Sequence, residues 1–200
     1  MQKIVLATNN KGKVKEMHDL LVTEDLEVIA QSEFNVPDID ETGLTFVENA
    51  LLKARHTAKI TGLPVIADDS GLVVEALNGA PGIYSARYAT EHGEANDDKK
   101  NIQKLLTELK SVPSDKRRAY FYCALVYMRH ENDPTPIICL GKWQGRILHK
   151  EQGNSGFGYD PVFYLDNLNC TAAELSREQK SQLSHRGQAL KQLIQTLSRQ

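Results

Sequence analysis

Leu63-Pro64-Val65-Ile66-Ala67-Asp68-Asp69-Ser70-Gly71-Leu72 is the stretch on which the fold of this chain turns. Residues 63–67 form a short apolar run opened by Pro64, which predicts a buried strand. Two adjacent carboxylates, a hydroxyl and a glycine then stand at its expected carboxyl end. In open α/β sheets, ligands bind at that edge. Adjacent carboxylates repel one another unless a positive charge lies beside them. A hard divalent cation such as Mg²⁺ suits them, because it takes oxygen ligands and accepts one or two carboxylates together with water and phosphate. Asp, Ser and Gly are equally ordinary turn formers. These residues alone favour a strand-ending turn, and the other segments decide for the metal site.

Towards the amino terminus, residues 3–7 predict a first buried strand and residues 8–13 the loop leaving it. A helix over 14–22 follows, with Val14, Met17, Leu20 and Leu21 on one side. A strand, a polar loop with glycine and then a helix can receive an anion, because backbone N–H groups and the helix dipole favour negative charge. Lys11 and Lys13 add countercharge. The loop carries neither the Walker pattern nor the dinucleotide-binding glycine pattern. Residues 27–31 predict a second strand, and residues 34–43 an irregular acidic segment with Asp38, Asp40 and Glu41. Thr45-Phe46-Val47-Glu48 is a capping box, in which hydroxyl and carboxylate satisfy each other's backbone donors. The helix it starts buries Phe46, Val47, Ala50, Leu51, Ala54 and Ala58, and Gly62 before Pro64 ends it. Lys53 and Arg55 lie off that stripe, and Lys53 by itself reads as part of a solvated face.

Beyond the carboxylate pair, residues 72–77 return to an apolar run and Asn78-Gly79-Ala80-Pro81-Gly82 predicts a tight loop. Asn96-Asp97-Asp98 caps a helix with Ile102, Leu105, Leu106 and Leu109 inside, its acidic start suiting the dipole. Residues 119–129 and 136–143 predict a long antiparallel pair at the centre of the sheet, and residues 143–148 a further strand with a glycine bend. In Gly153-Asn154-Ser155-Gly156-Phe157-Gly158-Tyr159-Asp160-Pro161, the glycines allow a flat ligand to approach and two aromatic rings offer stacking surface. A surface turn with its aromatics packed on the core fits the same residues. Residues 171–174 start a helical region, and Ser184 caps a last helix with Leu190, Leu193, Ile194 and Leu197 inside. Lys180, His185 and Arg186 gather at the start of that helix, where cations are poorly placed. A bound anion or polar ligand explains them better than surface decoration.

At 200 residues the chain is one large domain or two small lobes, long enough to bury a core without disulfides. Lys and Arg number 24 and Asp and Glu 26, so the formal charge is −2. That argues against the broad basic face of a general nucleic-acid coat, but not against a local basic pocket for one phosphorylated ligand. Cys123, Cys139 and Cys170 are odd in number and form no CxxC pair, which points away from a disulfide scaffold or structural zinc and towards a reducing compartment. Cys123 reads as a core residue. The amino terminus lacks the apolar region of a secretory signal, and the longest apolar run, residues 119–128, is far short of a membrane span. A soluble cytoplasmic protein is expected.

Several of these segments together resemble the inosine triphosphate pyrophosphatase family, the HAM1-like non-canonical purine nucleoside triphosphate pyrophosphatases. The matching pieces are Ala7-Thr8-Asn9-Asn10-Lys11-Gly12-Lys13, Thr45-Phe46-Val47-Glu48-Asn49-Ala50, Ala67-Asp68-Asp69-Ser70-Gly71-Leu72, Phe157-Gly158-Tyr159-Asp160-Pro161 and Ser184-His185-Arg186. They run in the family's order over nearly the whole chain. The bacterial dITP/XTP pyrophosphatase branch is the most similar, and Asn9 stands where many members carry glycine. The resemblance implies an α/β fold with a mixed central sheet and helices, and two lobes flanking an active-site cleft. Residues 1–200 would form one catalytic domain of two interleaved lobes. It also implies a homodimer and Mg²⁺-dependent hydrolysis of dITP, ITP and XTP to the monophosphate and pyrophosphate; the charge balance and the short apolar runs point to no nucleic-acid or membrane partner.

On that resemblance, Thr8, Asn9, Asn10, Lys11, Gly12 and Lys13 cradle the triphosphate together with Lys53. Glu41 and Asp69 hold the metal, with Asp68 a further contributor, and Asp69 is the general base for the attacking water. Ser70 contacts the nucleotide; Phe157, Gly158, Tyr159 and Asp160 form the base-binding wall; Lys180, His185 and Arg186 form the far side. A donor-rich wall accepts the 6-keto oxygen of hypoxanthine or xanthine and rejects the 6-amino group of adenine, because a buried unpaired polar group is costly. The alternatives are a nucleotide-binding sensor without chemistry, which Asp69 and Glu41 weigh against, and a general nucleoside triphosphatase releasing orthophosphate.

Overall fold

The computed structural model describes residues 2–21, 26–90 and 97–199. Its elements are β1 (Gln2–Leu6), α1 (Lys11–Leu21), β2 (Leu26–Ala30), α2 (Phe46–Thr61), β3 (Val65–Val74), α3 (Asp98–Glu108), β4 (Arg118–Met128), β5 (Ile137–Ile147), β6 (Phe163–Leu165), β7 (Cys170–Thr171), α4 (Arg177–Leu183) and α5 (His185–Leu197). The strands hydrogen-bond in the order β2-β1-β3-β4-β5-β6-β7, so β4 is central and β5 its neighbour. The sheet is mixed: β1 runs parallel to β2 and β3, whereas β6 is antiparallel to β5 and β7. Among the described residues, no helix is long and apolar enough to cross a membrane.

The chain divides into two compact units, one of Met1–Asp69, Cys123–Gly141 and His185–Gln200, the other of Ser70–Tyr122 and Lys142–Ser184. In the first, Ile4, Leu6 and Ile66 pack with Met17 and Leu21 of α1 and Ala189, Leu190 and Leu193 of α5. Ile4, Val5 and Leu6 are all buried, as in a parallel strand covered on both faces. Cys123 belongs to this core, and burial pushes its thiol up to about 12. The second unit has its own core, in which Phe163 meets Phe121 at 4.6 Å and Trp143 at 5.5 Å between ring centroids. Both are tilted contacts of the kind aromatic quadrupoles favour.

Arg117 is buried in the second unit, where its guanidinium donates to backbone carbonyls of Val112 (2.9 Å), Leu148 (3.0 Å) and Leu109. The Leu109 carbonyl lies at the carboxyl end of α3, where helix carbonyls lack partners and a cation is favoured. Arg117→Met leaves these carbonyls buried and short of donors. It should lower unfolding stability by about 3 kcal/mol, read from the urea midpoint; an unchanged midpoint would show that water replaces the arginine at no cost.

The structure corrects several sequence expectations. α1 begins at Lys11, because the Asn10 side chain accepts from the N–H groups of Gly12 (2.9 Å) and Lys13 (3.1 Å) and caps the helix there. β5 is one strand from Ile137 to Ile147, its alternating burial running on past residue 143. Thr45 caps α2, but the Glu48 carboxylate takes the N–H of Leu44 and the Thr45 hydroxyl. Residues 172–174 form only a short tight turn, and α4 starts anew at a Ser176/Gln179 capping box. Val22 and Asn96, and the side chains of Lys11 and Leu20, lie outside the described residues.

The largest correction concerns the opening stretch. Asp68-Asp69-Ser70-Gly71 is no strand-ending turn, because β3 continues through it to Val74. A Cβ on Gly71 would lie 2.4 Å from Ser85 Oγ and 2.5 Å from the Gly82 carbonyl. Glycine therefore serves a close approach here, and the Leu72 N–H donates to Ser85 Oγ at 2.9 Å.

Candidate functional site

In the first unit β1 ends at Leu6, paired with Ile66, and the Ala7 N–H makes a last bond to the Ile66 carbonyl at 2.8 Å. Asp68 and Asp69 lie on β3 just past the carboxyl end of its parallel neighbour. The expected edge thus exists, but it belongs to β1. Successive side chains of a strand point to opposite faces, so the two carboxylates meet different cations.

Asp69 shares Lys53 with Glu41: the ammonium lies 2.7 Å from Glu41 Oε1 and 3.0 Å from Asp69 Oδ1. Asn49, one helical turn before Lys53 on α2, donates from Nδ2 to Asp69 Oδ2 at 3.3 Å. Burial raises the Asp69 carboxyl, Lys53 pulls it down and Glu41 pushes it up, and the net shift is upward. Burial also opposes the charge on Lys53, but Asp69, Asp68 and Glu41 outweigh it and hold the ammonium above its usual range. A carboxyl raised in this way is suited to accept a proton.

On the other face, Asp68 is fully buried and meets Lys13 at 3.0 Å and the Arg186 guanidinium at 3.3 Å. Arg186, itself buried, also grips Glu16. Burial would raise the Asp68 carboxyl, yet Lys13, Arg186 and Lys53 together hold it well below the usual carboxylate range. The charge of Arg186 at the start of α5 is thus answered by carboxylates of the protein itself. His185 is buried beside it.

The loop at the carboxyl end of β1 is knit locally. Thr8 Oγ1 accepts from the Asn10 N–H at 3.2 Å, and Asn9 Nδ2 donates to Asp38 Oδ1 at 2.7 Å. With the Gly12 and Lys13 N–H groups already capped by Asn10, an incoming phosphate either engages side chains here or displaces that cap. Lys11 opens α1.

In the second unit, Asp160 is buried and accepts from the Phe157 N–H (2.9 Å) and from Lys180. The Lys180 ammonium also lies 4.4 Å from the Phe157 ring centroid. Phe157 keeps 36% of its surface exposed, whereas Tyr159 keeps 4% and donates its hydroxyl to the Ser85 carbonyl at 2.8 Å. Phe157 is therefore partly open to solvent, whereas Tyr159 is a core residue. The Gly158 N–H is taken by Asp98 at 2.7 Å, and Ser70 is half-buried on β3.

Of the predicted site residues, the first unit holds residues 8–13, Glu41, Lys53, Asp69, His185 and Arg186; the second holds Ser70, residues 157–160 and Lys180. Sequence reasoning missed Asn49 and Glu16. Both left a signal in helical spacing: Asn49 precedes Lys53 by four residues and Glu16 follows Lys13 by three, each pair sharing a helix face.

Among the described residues, no group of three or more His, Cys, Asp or Glu side chains is arranged to hold a metal ion. Glu41 and Asp69 nonetheless direct oxygens at one point, where the Lys53 ammonium sits. Two carboxylate oxygens that converge on one cation would suit a hard divalent ion once the Lys53 ammonium moves off that point.

Residues 4–196 match the Ham1 family. The chain is 62% identical over 200 residues to the dITP/XTP pyrophosphatase of Vibrio vulnificus strain YJ016, covering 100% of this chain and 98% of that one. It is similar to the solved HAM1 protein of Coxiella burnetii, with TM-score 0.92, 50% identity and 100% of both chains covered. It is also similar to the solved nucleoside-triphosphatase, or dITP/XTP pyrophosphatase, of Mycobacterium abscessus, with TM-score 0.76, 39% identity and coverage of 96% and 99%.

Proposed function

This chain belongs to the Ham1 family, and we propose that it is a dITP/XTP pyrophosphatase. It hydrolyses dITP, ITP and XTP to the monophosphate and pyrophosphate, which keeps these bases out of nucleic acids. Beside the family, one observation carries this reading: Glu41 and Asp69 converge on Lys53 just past the end of a parallel strand.

Asp69, with its raised carboxyl, takes the proton from the attacking water. Glu41 and Asp69 would hold Mg²⁺, which when bound supplies Lewis-acid polarisation of phosphate oxygens. Lys53 and Lys13, with Thr8, Asn9, Asn10, Lys11 and Gly12, receive the triphosphate. Asp68, fixed by Arg186, keeps Lys13 in place. Phe157 offers the purine a stacking face, backed by Lys180 and Asp160, and His185 is a donor for the base. Residues 1–200 act as one catalytic domain, since β3, β4 and β5 each carry residues of both compact units. The homodimer rests on the resemblance, the cytoplasmic location on the unpaired cysteines, and the absence of nucleic-acid or membrane partners on the near-neutral charge and the short apolar runs.

A panel of nucleoside triphosphates with Mg²⁺ tests this reading. dITP, ITP and XTP should be consumed well ahead of ATP and GTP, and equal turnover of all would return the protein to a general triphosphatase. Chelation with EDTA should lower dITP turnover by at least about 100-fold, with recovery on adding Mg²⁺. Full activity in chelator would remove the metal from the account.

A further inference from the structure

We infer that Asn49 is a positioning residue of the hydrolytic site, one that locks the segment carrying Glu41 to Asp69. The inference rests on the catalytic reading of Asp69. Asn49 is fully buried in the first turn of α2, beside Ala50, Ala54 and Ala58 of the apolar stripe. A buried amide is tolerated only when its polar atoms are satisfied, and both ends of this one are. Its Oδ1 accepts from the Gly43 N–H at 2.8 Å and its Nδ2 donates to Asp69 Oδ2 at 3.3 Å.

The orientation of the amide is forced. A backbone N–H can only donate, so the carbonyl end of Asn49 must face Gly43 and the NH₂ end must face Asp69. The contact is built closely as well. A Cβ on Gly43 would lie 2.7 Å from Asn49 Oδ1 and 2.6 Å from Glu48 Cβ. Only glycine lets the chain two residues after Glu41 come this near α2.

The result is a fixed triangle. With Oδ2 of Asp69 held by Asn49, Oδ1 is turned to the cation that Glu41 shares. Through Gly43, the same side chain sets the segment that brings Glu41 to that cation. Lys53, four residues on from Asn49, comes from the same helix face. Asn49 itself need touch neither substrate nor metal. It decides which Asp69 oxygen is presented, and catalysis is sensitive to misplacement of about 1 Å.

Asn49→Asp tests this at constant shape. It keeps the acceptor for Gly43 but turns an acceptor towards Asp69. kcat for dITP should fall by about 10- to 100-fold, with KM and the affinity for a non-hydrolysable dITP analogue changed less than about threefold. A thermal melt without metal or nucleotide gives a readout independent of activity. Asn49→Asp should melt lower than wild type, and Asn49→Asp/Asp69→Asn should recover most of the loss, because the donor and acceptor are then exchanged. Recovery of the melt in the double variant, beside a kcat loss in Asn49→Asp that spares KM, supports a positioning role. Wild-type kcat in Asn49→Asp beside an inactive Asp69→Asn overturns the inference alone. A loss confined to KM, or no recovery in the double variant, overturns it too. Wild-type turnover in Asp69→Asn itself overturns the catalytic reading, and the inference with it.

Discussion

Asp69→Asn is expected to give a folded protein that binds nucleotide and hydrolyses it about 10²–10⁴ times more slowly, the range that general-base help supplies. The substitution keeps the shape of the side chain and removes its charge and basicity. Its effect on stability should be small, because two contributions oppose. Burial raises the Asp69 carboxyl above its unfolded value, so its favourable contribution belongs to the protonated form and is lost as pH rises through the raised value. At neutral pH asparagine relieves the cost of the buried charge, but Lys53 loses one of its carboxylates. Without metal, the variant should melt close to wild type. Single-turnover hydrolysis beside that melt checks both halves. Wild-type turnover, or a loss that comes with unfolding, would return Asp69 to a structural role.

Arg186→Met should act mainly through stability, lowering it by about 3–5 kcal/mol, the cost of breaking a buried pair and leaving its partners uncompensated. Asp68 would keep Lys13 among its direct cations, and Glu16 would lose its guanidinium. The pH dependence follows from the same contacts. Asp68 is held below its unfolded value, so it contributes stability above that value and loses it as pH falls. Without Arg186 the carboxyl rises, and the acid loss begins at a higher pH. Urea midpoints at neutral and mildly acidic pH measure both effects. An unchanged neutral midpoint would show that Lys13 alone suffices. Asp68→Asn should cost stability but slow hydrolysis far less than Asp69→Asn, since the two carboxylates face different cations.

Much of this was legible in the sequence where a local rule is also the global one. The apolar run of β1, the Thr45 cap and the Gly62 stop of α2 each rest on neighbours a few residues away. The carboxylate pair was legible as a feature, but it was placed at the end of a strand that runs on through it. What keeps β3 extended is Ser85 packed against Gly71, a contact fourteen residues away in sequence that no local pattern encodes. Period-two alternation, applied to Asp68 and Asp69, would have separated their partners. Tyr159 and Phe157 look alike in sequence, and only the Ser85 carbonyl marks the first as core. Arg117 was invisible, because its partners are backbone carbonyls and every residue carries one. Asn49 and Glu16 announced themselves only by spacing to a lysine, a signal too common to act on before the fold shows what lies opposite.

Product identity tests the central claim most directly. Given dITP and Mg²⁺, the purified protein should release one pyrophosphate and one dIMP for each dITP consumed, with no orthophosphate until a separate pyrophosphatase is added. Orthophosphate and dIDP as first products, or dITP recovered intact, would contradict it.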